Sequence, residues 1–355
     1  MKSFFIGNIE IKIPIIQGGM GVGISLSGLA AAVANAGGIG VISCAGLGLL
    51  YPKARGNYAE KCIEGLKEEI RKAREKTRGT IGVNIMVALS NYADMARTAI
   101  KEKIDVIFAG AGLPLDLPAY LTLGSKTKLI PIVSSSRAAK IICSKWSSNY
   151  GYLPDAIVVE GPKAGGHLGF KKEQITDNNY TLDSILPEVI AVASEYEEKK
   201  HIPVIAAGGI SNGKDISHFI DMGASAVQMG SIFVTTDECD ASPAFKDVYI
   251  NSKSEDILII ESPVGMPGRA IDGEFIRNVQ KGETKPLNCP FHCIKTCDYT
   301  KSPYCIIKAL YNAAKGNMKK GYAFAGANAF LSKKIRSVKE VFDSLEREFV
   351  TATQK

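Results

Sequence analysis

Val204-Ile-Ala-Ala-Gly-Gly-Ile-Ser-Asn-Gly-Lys-Asp215, followed by Ala226-Val-Gln-Met-Gly-Ser231, decides how this chain is read. Each half is a short apolar run that ends in glycine where a helix should begin. Gly208 and Gly209 let the backbone turn sharply and leave its N–H groups uncovered by side chains. Amides at a helix start carry partial positive charge, so the two turns together make an anion site. A (β/α)8 barrel uses such turns after strands 7 and 8 to hold a phosphate. Two ordinary glycine-rich βα turns are the plain alternative.

Working outward, strand-like runs alternate with helical stretches. The runs are Ile13–Gly18, Ile39–Cys44, Thr80–Met86, Val106–Gly110, Leu129–Ser135, Ala156–Gly161, Val204–Gly209 and Ala226–Gly230. Most are almost continuously apolar, as parallel strands covered on both faces must be. Between them lie helix candidates at Ser25–Ala36, Tyr58–Lys76, Tyr92–Lys103, Leu182–Lys199 and Gly213–Met222. Strict alternation implies a parallel sheet, and eight strands favour closure into a TIM barrel. Such a barrel takes roughly 250 residues, so 355 leaves about a hundred for an added element. The expected organisation is a barrel over residues 1–234 and a mainly helical lid over 235–335. A last helix over 336–355, apolar at Val338, Val341, Phe342, Leu345 and Phe349, packs back onto the barrel. The open dinucleotide-binding sheet is the competing fold, because Gly18–Gly23 follows the first strand. It fails on two counts: the glycine spacing is wrong, and the second strand ends in Ser43-Cys44-Ala45 with no acid for a ribose.

The composition excludes several classes. The net charge of +7 comes from scattered lysines, whereas nucleic-acid binding clusters them on one face. Asn8, Glu10 and Lys12 break the N-terminus, so no signal peptide is read there, and no run reaches the ~18 apolar residues of a membrane helix. A cytoplasmic protein is expected; whether it forms a homodimer is left open.

In a barrel the chemistry lies at the C-terminal strand ends. Strand 6 runs into Glu160-Gly-Pro-Lys-Ala-Gly-Gly-His-Leu-Gly169, which carries the only histidine in a strand-end loop. His167 follows Gly165 and Gly166, which permit close backbone approach to a ligand, and imidazole exchanges protons near neutral pH. Glu160 reads equally as a cofactor hydrogen-bonder or a strut at the rim.

The chain resembles the nitronate monooxygenase family, formerly the 2-nitropropane dioxygenases, which also includes FMN-dependent enoyl-ACP reductases. The resemblance rests on Ile16-Gln-Gly-Gly-Met-Gly21, Gly82-Val-Asn-Ile-Met86, Gly110-Ala-Gly-Leu-Pro114, the Glu160–Gly169 loop, Ala207-Gly-Gly-Ile210 and Val227-Gln-Met-Gly-Ser231. It implies an FMN-binding TIM barrel whose phosphate is held by Gly208, Gly209, Gly230 and Ser231. It places Gln17, Gly18, Gly19, Met20 and Asn84 along the ring and ribityl chain, with His167 catalytic. The implied activity is nitronate oxidation with O2. The alternative is NAD(P)H-dependent reduction of an enoyl thioester, for which Lys171, Lys172 and Lys315–Lys320 offer a basic rim to an acyl carrier protein. Outside the redox class stands a barrel that uses the same turns for a sugar phosphate. Lys163 departs from the family pattern and reads as a loop lysine or a substrate contact. Arg269 reads as a contact to an anionic substrate or as an anchor for the lid.

The other departure is a cysteine cluster, Cys289, Cys293, Cys297 and Cys305, spaced C-x3-C-x3-C-x7-C with His292 inside it. Clustered cysteines in a cytosolic chain point to metal or redox chemistry. The spacing matches neither a zinc knuckle nor a standard ferredoxin run. An iron–sulfur or zinc site and free thiols are both open.

Overall fold

A computed structural model describes residues 1–283 and 289–354, and all eight expected strands are present. They are β1 (Ile15–Gln17), β2 (Gly40–Ser43), β3 (Ile81–Met86), β4 (Val106–Gly110), β5 (Lys128–Val133), β6 (Ile157–Glu160), β7 (Val204–Ala207) and β8 (Ala226–Met229). Each pairs in parallel with its neighbour in sequence, from β2 round to β8, and β8 pairs with β1. A parallel bridge between Ile16 and Ile39 joins the two ends, with Gln17 N–H donating to Ile39 at 2.9 Å and Ile39 N–H to Ile15 at 3.0 Å. The sheet is therefore a barrel.

The apolar runs follow from that closure. Ile16, Val41, Phe108, Ile130, Val158 and Ile205 form one buried cluster inside the barrel. Their chain neighbours Ile15, Ile42, Ile107, Leu129, Ile157 and Val204 belong to the layer under the helices. Successive strand side chains point to opposite faces, and here both faces are dry. At the N-terminal ends of the strands an antiparallel hairpin, Phe4–Ile6 with Ile9–Ile11, adds Phe4, Ile6 and Ile11 to the interior cluster. It plugs the barrel floor.

After β8 the chain departs before supplying its eighth helix. That helix is Val338–Thr353, started by a capping box between Ser337 and Glu340. It buries Val338, Val341, Phe342 and Leu345 and packs on helices Gly213–Asp221 and Ser27–Asn35. Glu348 accepts the Gly213 N–H at 2.8 Å.

The segment between is mainly helical, as expected, and also carries a small sheet that the sequence reading did not include. It holds helices Pro243–Asn251, Glu274–Gln280 and Ile306–Ala314, but also the antiparallel strands β9 (Ile257–Glu261) and β10 (Pro267–Ile271). The short strand Gly166–His167 joins β10 as a third member, so the histidine loop is stitched into the added segment. Of the expected lid, residues 284–288 lie outside the described residues. Among the described residues no helix is long and apolar enough to cross a membrane.

Candidate active site

The strand ends open into a cavity of about 510 Å³, within the usual range for a ligand pocket. The turn after β7 has Gly208 at φ +98° and Gly209 at φ +86°, a region that favours glycine. Space is equally restrictive, because a Cβ on Gly208 would lie 2.8 Å from the Gly161 carbonyl oxygen. Among the described residues, the backbone N–H groups of Gly209, Ile210 and Gly230 meet no acceptor in the protein. Three uncommitted donors around one end of a cavity form a site for an anion.

Part of the added segment completes this cradle. Gly326 N–H donates to Ser231 Oγ at 2.9 Å, the Asn328 side-chain amide donates to the Gly209 carbonyl at 2.6 Å, and Ala327 N–H donates to the Lys163 carbonyl at 3.0 Å. Sequence reading missed this stretch. Its signal is Ala323-Phe-Ala-Gly-Ala-Asn328, a run without charge or bulky aliphatic residues between Lys320 and Lys333. Small side chains let one backbone approach another.

His167 lies on the facing wall. Its Nε2 is 2.7 Å from Ser262 Oγ, and its ring meets Phe324 edge-on at 5.0 Å. Burial lowers its pKa to about 4, so the imidazole is neutral at pH 7. Glu160, at the end of β6, faces the same cavity, and burial pushes its carboxyl up to about 7. Two titratable groups moved apart in this way are what acid–base chemistry requires. Ser262 was not anticipated, because only the tertiary pairing of β10 with Gly166–His167 brings it there.

Of the expected ligand-binding positions, Gly18, Gly19, Met20, Asn84, Glu160, Gly165, Gly166, Gly208, Gly209, Gly230 and Ser231 line this one cavity. At Gly19 a Cβ would stand 2.3 Å from Asn84 Cβ, so the β1 loop needs glycine to cross β3. Gln17 does not line the cavity. It is fully buried in the barrel wall, accepting the Val41 N–H at 2.9 Å and donating to the Gly18 carbonyl. Arg269 does not meet an anion either. Its buried guanidinium donates to the carbonyls of Pro162 and Ala164, the latter at 2.7 Å, and braces the histidine loop. Lys163 packs its alkyl chain under Gly209, and Lys172 reaches Glu261 at 3.5 Å on the surface.

The cysteine cluster forms a separate place. Cys289, Cys293, Cys297 and Cys305 line a second cavity of about 210 Å³ together with His292, and all four are free thiols. Among the described residues no three His, Cys, Asp or Glu side chains converge as the ligands of a single metal ion must.

The family model for nitronate monooxygenases matches residues 2–110 and 96–348 of the chain. A probable nitronate monooxygenase from Staphylococcus aureus (strain Newman) is 28% identical over 298 residues, covering 78% of this chain and 79% of its own. Among solved structures, FabK from Thermotoga maritima is 28% identical with a TM-score of 0.75, over 97% of this chain and 94% of its own. A nitroalkane oxidase from Streptomyces ansochromogenes, 21% identical with a TM-score of 0.74 over 97% of each chain, shares the fold. The match to the family model runs from the barrel floor to the closing helix, and the chain belongs to the nitronate monooxygenase family of oxidoreductases.

Proposed function

We propose that the chain is an FMN-dependent oxidoreductase that oxidises alkyl nitronates with O2. The observation that carries this reading is the cradle, whose three uncommitted N–H groups stand at the left-handed glycine turn after β7 and the turn after β8. A phosphate monoester supplies the acceptors those donors lack, and a cavity of about 510 Å³ extends from there past Met20 and Asn84 to His167. Gly209, Ile210, Gly230 and Ser231 would hold the phosphate, and Gly18, Gly19, Met20 and Asn84 would lie along the rest of the cofactor. Bound FMN supplies the redox chemistry, taking electrons from substrate and passing them to O2.

The remaining work belongs to the chain. His167, neutral at pH 7, would accept a proton from the carbon next to a nitro group at Nδ1, the ring nitrogen that Ser262 does not engage, while Nε2 at 2.7 Å from Ser262 Oγ fixes the ring. Leu310, Met266, Tyr322 and Phe324 give the cavity an apolar and aromatic wall. Arg269 keeps the 162–164 backbone, and with it His167, in register.

Reduction of an enoyl thioester by NAD(P)H is the second reading. It is supported by the likeness to FabK across nearly the whole chain and by an apolar wall able to take an acyl tail. Anaerobic titration of the yellow protein separates the two. Propyl nitronate is expected to bleach the flavin band while NADH and NADPH leave it unchanged. Bleaching by a nicotinamide with an inert nitronate would overturn the first reading in favour of the second.

A further inference from the structure

Four of the eight cysteines fall in a 17-residue stretch, whereas Cys44, Cys62, Cys143 and Cys239 are scattered and buried elsewhere. The stretch is docked on the barrel rim. Ser90 Oγ donates to the His292 carbonyl at 2.6 Å, Ser90 N–H to the Cys293 carbonyl at 3.1 Å, and Lys295 N–H to the Ala88 carbonyl at 3.0 Å, beside a bridge between Leu89 and Ile294. Thus held, all four cysteines line a single cavity of about 210 Å³, far more than the ~10–15 Å³ that one water needs.

The lining chemistry narrows the occupant. It contains four thiols, one imidazole, the ammonium of Lys295 and hydroxyls; among the described residues it contains no carboxylate. Thiolates select zinc, Cu(I) or iron–sulfur clusters over hard cations. A single zinc or copper ion would draw its ligands onto one point, with Zn–S about 2.3 Å, and no such convergence exists. A polynuclear cluster takes one thiolate at each corner of a larger body, so its ligands surround a void rather than meet at a point. The His292 N–H already donates to Cys289 Sγ at 3.4 Å, and Ser302 Oγ lies 3.8 Å from Cys297 Sγ. Such donors stabilise thiolates bound to iron.

We propose that Cys289, Cys293, Cys297 and Cys305 ligate a [4Fe–4S] cluster, one thiolate to each iron. The site stands one side chain from the catalytic cavity, because Ile294 and Ile306 line both. The cluster thus forms the backing of the active-site wall. It does not depend on the identity of the cofactor in the barrel.

The test is elemental and spectroscopic. Full-length protein purified anaerobically, or refilled with ferrous iron and sulfide, is expected to hold about four iron and four acid-labile sulfide per chain. It should show a broad band near 400 nm that bleaches with dithionite. Cys297→Ser, at a half-exposed position, is expected to lose most of the iron and sulfide while keeping the wild-type circular dichroism and FMN content. The proposal is overturned by refilled wild-type protein without iron, by one zinc per chain without sulfide, or by Cys297→Ser with wild-type iron and sulfide. FMN measured on the same samples reports separately on the barrel.

Discussion

The cradle after β7 and β8 and the cysteine cavity on the rim are both rings of polar groups around a void, yet they are built differently. The cradle is made of backbone: three N–H groups placed by barrel register and released by two left-handed glycines. The cysteine cavity is made of side chains on a loop that borrows its order from Ser90, Ala88 and Leu89. The donors of a backbone site are placed once the sheet closes, and here the 326–328 stretch completes the surround. A side-chain site leaves four thiols facing a void until something binds them. The difference teaches where each can be broken: the first by changing a φ angle, the second by removing a ligand.

The largest effect is expected at Gly209. With φ at +86°, any side chain is strained, and its Cβ would stand 2.7 Å from Lys163 Cβ. In Gly209→Asp the carboxylate also faces the anion it should receive. The variant is expected to purify without FMN but with the wild-type iron and sulfide content, read by flavin release and elemental analysis on one sample. A yellow Gly209→Asp protein with full FMN would remove the cradle from the cofactor site.

The two regions were also unequally legible in the sequence. Parallel strands dry on both faces write themselves as apolar runs, so every barrel strand could be located, and their ends named the residues that now share a cavity. Gln17 was misplaced because a strand-end residue alternates between lumen and loop, and one step of register buried it against Val41. The floor hairpin was overlooked although Phe4-Phe-Ile-Gly-Asn-Ile-Glu-Ile11 carries its two-residue turn, Gly7-Asn8, with Gly7 at φ +59°. β9 and β10 were lost for another reason. They pair with each other, and β10 also pairs with Gly166–His167 about a hundred residues earlier in the chain, which no local pattern records. Ser262 and Asn328 reach the site only through such pairing, as side chains of the added segment.

A smaller effect is expected at His167, where the barrel and the added segment meet. His167→Ala should retain FMN and lower turnover of a neutral nitroalkane roughly 10²–10⁴-fold, while a preformed nitronate, which has already lost its proton, suffers much less. The pH dependence identifies the group. Burial depresses the His167 pKa, so the active neutral imidazole persists below neutrality, and the rate falls only as pH drops through about 4. Glu160 is displaced the other way and loses its proton as pH rises through about 7. A step near pH 7 that vanishes in Glu160→Gln would therefore belong to the carboxyl, not the imidazole. If His167→Ala handled both substrates at wild-type rates, the histidine would be only a member of the β10 sheet.

The smallest effect sharpens the comparison most, because it concerns a side chain that helps hold the backbone site. Asn328 donates to the Gly209 carbonyl at 2.6 Å, and its neighbour Gly326 donates to Ser231 Oγ. Asn328→Ala leaves the Gly209 carbonyl without that partner but leaves φ at Gly208 and Gly209 unchanged. A net hydrogen bond is worth about 0.5–1.5 kcal/mol, so FMN affinity should weaken about two- to tenfold, with His167 chemistry on bound flavin intact. Fluorescence titration of apoprotein measures it. A loss as complete as that of Gly209→Asp would mean that the cradle depends on the added segment for its shape, and is not set by barrel register alone. An unchanged Kd would mean that the barrel holds the turn unaided and the 324–328 segment only covers it.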